Sequence, residues 1–497
     1  MNPDLAPPQS FDANKGADLP AAVRWRVLAV LLTVIFMALM NVSIVNVALP
    51  SIQHALDASQ SDIQWVLSGY ALTFGVVLVA AGRAGDILGR GGIFVAGLVL
   101  FVLSSIAAGF APDALWLNVA RFVQGVASGL VNPQGVGMIQ QYFRGAERGQ
   151  AFGYFGTAVG LSVAIGPVLG GLLIDMGGPT IGWRLTFLVN VPIGILAIVL
   201  AWRWFPRPLF LSRQQKDRRS KSLLRELDPV GSLLLGLAVL AVLFPFVESQ
   251  TGWLTWLLLP LGLVLVYLWV HWERFYERRG NSPMVNLAVF STPSFTNGTI
   301  IMTLYFLGMT SIWVLVPLYA QEALQQSAVE AGSLGIPSAL VSAYSAHWSG
   351  KRVASYGRRI VIAGLFLAIG GLLSSILVII LSAMGYISIW WLLLSLSLIG
   401  AGQGSVISPN QALTLADVPL DYAGSSGAIM QTGQRIGTSV GLAIVTAAVF
   451  ACLQFWSWSV SVVVGFVLIA SVVVLALLVA FKDLRDRRRE GRAMPLS

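Results

Sequence analysis

The sequence predicts an all-α polytopic membrane protein, and three observations carry that reading. Only 11% of the 497 residues are charged, while 56% are hydrophobic; soluble domains carry roughly 25% charged residues. The apolar residues fall into fourteen stretches, each near the about 20 residues of helix that a bilayer core of about 30 Å requires. Lys and Arg collect in alternate connections between those stretches.

The stretches run over residues 26–48, 62–82, 92–111, 114–138, 149–174, 184–204, 229–248, 252–271, 295–320, 330–349, 358–384, 388–414, 422–451 and 455–481. With fourteen spans both termini share a side. That side collects 28 of the 31 Lys and Arg residues, and the remaining three are Arg121, Arg184 and Arg435, within or at the start of spans. Basic connections mark the cytoplasmic face, so both termini are expected there. The net charge of +9 is thereby topological and does not indicate a nucleic-acid partner. The polar, Pro-rich start, "MNPDLAPPQSFDANKGADLP", reads as a disordered tail without a signal-peptide pattern.

An internal repeat orders the spans. "GRAGDILGR" (Gly82 to Arg90) joins spans 2 and 3, and "GKRVASYGRR" (Gly350 to Arg359) joins spans 10 and 11. Span 4 carries "GVASGLVNPQ", and span 12 the similar "GAGQGSVISPNQ". Matched spans are eight apart, as two six-helix units with two helices inserted between them require. The expected organisation is a tail over 1–25, a six-helix half over 26–204 and a basic linker over 205–228. Two inserted helices over 229–271 follow, then a loop over 272–294, a second half over 295–481 and a basic tail over 482–497. Parallel repeats about an axis along the membrane normal are a transporter layout.

On these strings the chain resembles the major facilitator superfamily, and within it the fourteen-span drug:proton antiporters. "SIVNVALP" closes span 1, and "GRAGDILGR" resembles the signature between spans 2 and 3. "ARFVQGVASG" resembles the span-4 signature, "GLSVAIGPVLGG" the antiporter signature of span 5, and "WRLTFLVNVPIG" the opening of span 6. The resemblance implies the major facilitator fold, arranged 6 + 2 + 6. It implies export of hydrophobic or amphipathic small molecules from a bacterial cytoplasmic membrane, driven by protons, by a monomer with no cofactor and no metal. A lipid or metabolite transporter of the same fold is the alternative.

Candidate residues follow from charge inside the membrane. A buried arginine faces protein or water, so Arg121 is expected at a central cavity with Gln124 on its face and Asn41 and Asn46 of span 1 as partners. Arg435 is the counterpart in the second half. The resemblance implies an aspartate at position 41 as the proton site, and the chain carries Asn41, which does not titrate near neutral pH. Asp175, Glu322 and His347 are the remaining coupling candidates. Such a cavity favours neutral, zwitterionic or anionic amphiphiles, with Tyr305, Phe306, Trp313 and Tyr319 of span 9 as an aromatic lining.

A second set is expected to move. Gly166, Pro167, Gly170 and Gly171 remove side chains where span 5 meets the other half. Asp86, beside Arg90, pairs with Arg144 or Arg148 to hold one conformation, and Gly350 and Arg358 belong to the matching turn. The basic residues usual after Asp86 and after Arg90 are replaced by Ile87, Gly91 and Gly92. Catalysis is not expected: His54, His271 and His347 are far apart, Cys452 is alone, and no nucleotide-binding Gly-Lys loop occurs.

Overall fold

The computed structural model describes residues 19–210, 226–247, 252–326 and 328–489. The ends of both expected tails and most of the basic linker lie outside them. The described residues form helices and turns without a strand. In chain order the long helices are α1 (Ala21–Leu56), α2 (Gln60–Leu88), α3 (Arg90–Gly109), α4 (Ala114–Tyr142), α5 (Gly145–Gly178), α6 (Thr180–Trp204) and α7 (Pro229–Val247). They continue as α8 (Leu258–Arg278), α9 (Pro293–Ala323), α10 (Ile336–Tyr356), α11 (Arg358–Ala383), α12 (Leu392–Thr414), α13 (Ala423–Leu453) and α14 (Trp458–Arg489).

Local chemistry sets the boundaries. Ser59 and Asp62 form a capping box at the start of α2, with the Asp62 N–H donating to Ser59 Oγ at 3.1 Å and the Ser59 N–H to Asp62 Oδ2 at 3.0 Å. Asp113 caps α4 by accepting from the Trp116 N–H at 2.7 Å. Gly89 separates α2 from α3 at φ 107°, and a Cβ there would stand 2.7 Å from the Leu209 carbonyl. The same carbonyl accepts from the Gly92 N–H at 2.9 Å. The start of the linker thus lies over the α2–α3 turn, where Gly91 and Gly92 leave it room.

Among the described residues thirteen helices are long and apolar enough to cross a membrane. Helix α10 is the exception, though its 21 residues suffice in length. Its buried face carries Ser338, Ser342, Ser345 and Ser349 between alanines. Helices, not lipid, surround that face: Ser345 Oγ donates to the Ala401 carbonyl of α12 at 2.7 Å, and Thr157 Oγ1 of α5 to the Ala343 carbonyl at 2.9 Å. Small side chains allow the close approach.

Helices α1–α6 pack on one another, chiefly as α1 with α5, α2 with α4, and α3 with α4 and α6. Helices α9–α14 form a second group, with α10 on α12, α11 on α12, and α9 on α13 and α14. The groups meet along α5–α10 and α2–α13, while α7 pairs with α8 and lies against α2 and α13. The end of the bundle that carries Arg83, Arg90, Arg148, Lys351 and Arg358 is called its basic end below.

Candidate functional site

At the basic end the two groups are tied through Asp86. Its carboxylate accepts the Gly424 N–H (2.9 Å) and the Ser425 N–H (2.9 Å), the free donors at the start of α13. It also accepts Arg90 Nη2 at 2.8 Å, and Arg90 in turn donates to the Leu420 carbonyl at 2.7 Å. The Asp86 side chain is fully buried. The expected pairing of Asp86 with Arg144 or Arg148 is not formed. Arg148 reaches the second group by itself, toward the Leu415 and Ala416 carbonyls at 3.4 and 3.5 Å. The Asp86 carboxylate is instead engaged by two main-chain amides and its i,i+4 arginine.

The second tie is between α5 and α10. A Cβ on Gly350 would stand 2.5 Å from Gly153 Cα, one on Gly149 2.7 Å from the Gly350 carbonyl, and one on Gly160 2.9 Å from the Ala339 carbonyl. The two backbones therefore touch. His347 lies in the same seam, its ring 5.0 Å from that of Tyr154. The expected sliding surface of Gly166, Pro167, Gly170 and Gly171 is elsewhere. Gly166 and Gly170 face Ser43 and Ile44 of α1 within the first group, Pro167 is exposed, and a Cβ on Gly171 would meet nothing. The seam uses the basic half of α5, and farther along α5 packs against α1.

Arg121 is buried and satisfied within the first group. Its Nε donates to the Val66 carbonyl at 2.8 Å and its Nη1 to Gln124 Oε1 at 2.5 Å, and its guanidinium lies 4.4 Å from the centre of the Tyr70 ring. Gln124 is held by Ser105 Oγ, to which its Nε2 donates at 2.8 Å. The expected partner Asn41 is fully buried and instead accepts from Asn190 Nδ2 of α6 at 2.9 Å, while Asn46 is exposed. The cause is directional: Arg121 points from α4 toward α2, away from α1.

Arg435 differs. It is partly exposed between the groups, 4.5 Å from the centre of the Phe74 ring, and no described side chain or carbonyl accepts a hydrogen bond from it. Gln431, one helical turn before it, is buried, and Nε2 of the adjacent Gln434 is buried without an acceptor. Among the described residues, Arg435 and not Arg121 stands between the groups, against Phe74 of α2. Of the span-9 aromatics, Tyr305 and Tyr319 are core residues, with Tyr319 Oη 3.0 Å from Ser459 Oγ. They do not line that space.

The other candidates are dispersed. Asp175 is exposed at the far end of α5, and Glu322 is exposed in a π-turn over Tyr319–Ala323. Arg358 points into the second group, donating to Asp483 Oδ2 at 2.5 Å and to Asn410 Oδ1, with Arg487 on the same Asp483 oxygen at 3.0 Å. Its expected part in motion between halves gives way to an internal cluster.

Comparison with known proteins agrees with this architecture. The model of the Major Facilitator Superfamily matches residues 31–442 and again 299–495. The chain is 34% identical over 447 residues to the probable actinorhodin transporter of Streptomyces coelicolor, covering 89% of this chain and 75% of that one. It is 30% identical to the puromycin resistance protein pur8 of Streptomyces alboniger over 86% of this chain and 82% of that one. The multidrug resistance protein Stp of Mycobacterium tuberculosis is 29% identical over 84% and 75%. Among solved structures, the proton:xylose symporter XylE superposes with a TM-score of 0.65 at 15% identity over 93% of this chain and 96% of that one. The human organic anion transporter MFSD10 (TETRAN) gives 0.65 at 13% over 93% and 100%. The chain is a multi-pass membrane transporter of the major facilitator superfamily.

Proposed function

We propose that the protein exports amphipathic small molecules across the bacterial cytoplasmic membrane by alternating access, driven by the proton gradient. The arrangement is 6 + 2 + 6, with both termini and the basic end in the cytoplasm. The observation that carries this reading is the seal at the basic end. Asp86 joins the groups through hydrogen bonds to two backbone amides, and the glycine seam joins them through contact without side chains. Both ties can open without leaving a trapped side chain, as a rocking transporter requires. The distribution of Lys and Arg supports the orientation. The names of the similar bacterial proteins support the cargo class.

Arg435, without an acid beside it, favours neutral or anionic cargo over dications. Arg435→Gln should lower transport of an anionic amphiphile by roughly tenfold or more, the worth of a charged hydrogen bond, and leave a neutral one nearly unchanged. Equal losses for both would contradict the assignment. A second reading, a lipid or metabolite transporter without proton coupling, is favoured by Asn41, which is locked to Asn190 and cannot titrate. Flux of a lipophilic dye in proteoliposomes, with and without an imposed pH gradient, separates the two. Gradient-driven flux in the native protein supports export coupled at another group. A response seen only in Asn41→Asp supports the second reading.

A further inference from the structure

Two acids lie buried at the basic end in the inserted helix pair, and the transport site does not use them. Asp228 precedes α7, and Glu273 sits near the end of α8; neither has any exposed surface. Asp228 Oδ1 accepts the Gly231 N–H at 2.9 Å and the Trp272 indole N–H at 2.8 Å. Asp228 Oδ2 and both Glu273 oxygens have no hydrogen-bond partner. The two carboxyls converge on one point: a Cβ on Gly231 would collide with Asp228 Oδ2 and stand 2.9 Å from Glu273 Oε1. A third polar group is aimed here. The buried Trp269 indole and the N–H groups of Met284 and Val285 face Glu273, yet none closes a hydrogen bond, and Trp269 Nε1 is left without an acceptor.

Among the described residues no cation is placed to neutralise the pair. Arg83, on the neighbouring α2, turns to the Glu226 carbonyl at 3.3 Å and the Tyr422 ring at 5.2 Å. Arg274, Glu277 and Arg278 of α8 are exposed. Trp269 of α8 belongs to one apolar cluster with Phe74 and Leu78 of α2, Ala428 of α13, and Met284 and Val285 of the following loop. Two buried carboxylates at close range cannot both stay ionised.

We propose that Asp228 and Glu273 form a proton-binding site: one proton, taken from water, sits on Glu273 and is shared with the free Oδ2 of Asp228. Binding converts one carboxylate to a carboxyl whose O–H becomes the missing donor. The site lies outside the space between the groups but is linked to it. Phe74 belongs to the same apolar cluster as Trp269, Met284 and Val285, and Phe74 carries Arg435 on its ring. This inference rests on the acid pair alone and does not depend on the export reading.

Infrared difference spectroscopy of the full-length protein in nanodiscs, recorded across pH, tests it. The native protein should show a protonated-carboxyl C=O band at neutral pH that Glu273→Gln removes. Asp228→Asn should move the titration midpoint of that band by about one pH unit or more toward acid, because the like charge is gone. Three results overturn the proposal: no such band in the native protein at neutral pH, a band unchanged in Glu273→Gln, or one stoichiometrically bound metal cation lost in the double variant Asp228→Asn/Glu273→Gln. Should Glu273→Gln fail to fold, the native spectrum and Asp228→Asn still decide. Because the readout is not transport, failure here leaves the export reading standing, and the reverse holds.

Discussion

The turn between α2 and α3 and the turn between α10 and α11 hold matching places in the repeat, but they close the basic end by different chemistry. In the first, Asp86 stands four residues before Arg90 and reaches across to the amides of α13. In the second, Ala354 stands four residues before Arg358, so no acid reaches across. Arg358 is turned inward, and its acid comes from α14 as Asp483. The crossing contact on that side falls to Gly350 against Gly149 and Gly153. One tie is polar and directional, the other is steric.

The largest expected effect separates internal stability from motion between groups. Asp483→Ala leaves Arg358 buried without its acid, and such a loss costs about 3–5 kcal/mol. Thermal unfolding should fall steeply, and a variant as stable as the native protein would remove the internal role. Next, Gly350→Leu puts a side chain into a backbone contact that no rotamer relieves. At about 1–3 kcal/mol for overpacking, the closed basic end should lose roughly 5- to 150-fold in population, with transport falling and stability nearly kept. Labelling of a cysteine placed in the seam would measure that change.

Asp86→Asn keeps the shape but removes the charge facing the start of α13. At about 1–2 kcal/mol the closed end should weaken by roughly 5- to 30-fold. Restoration of transport in Asp86→Asn by a helix-capping change at Ser425 alone would contradict the role of the charge. The smallest effect is expected at Arg24 and Glu147, a 2.5 Å pair in which the acid is 42% exposed. Arg24→Gln should change stability by no more than about 1 kcal/mol.

Much of the fold was legible because membrane helices announce themselves by length and by where their charges collect. Helix α10 was counted among the apolar stretches although its serines lower its hydropathy; Ser345 and Ser349 are satisfied at the Ala401 and Gly404 carbonyls of α12. The site was less legible. Gln124 was placed correctly because an i+3 neighbour on a helix shares a face. Asn41 was not, because which of several neighbouring helices a side chain meets depends on its direction, and periodicity along one helix does not encode that. The glycines of α5 show the same limit: Gly149 and Gly153 face the other group, while Gly166 and Gly170 face α1, and the string reads alike throughout. Glu273 escaped notice because it lies just past the apolar stretch of α8, where a solvated acid is the ordinary expectation. The signal that could have marked it is the Asp-Pro-Val-Gly start of α7, an N-cap sequence that brings a second acid to the same end.

The most direct test of alternating access is a pair of distances measured by electron resonance on a Cys452→Ser background. Labels at Ala146→Cys and Lys351→Cys report the basic end, and labels at Met176→Cys and Gly332→Cys the opposite end. The account predicts a short basic-end distance at rest. That distance should lengthen as the opposite one shortens when a pH gradient or cargo is added, and Asp86→Asn should bias the pair the same way. Distances that stay fixed, or that lengthen together, would contradict it.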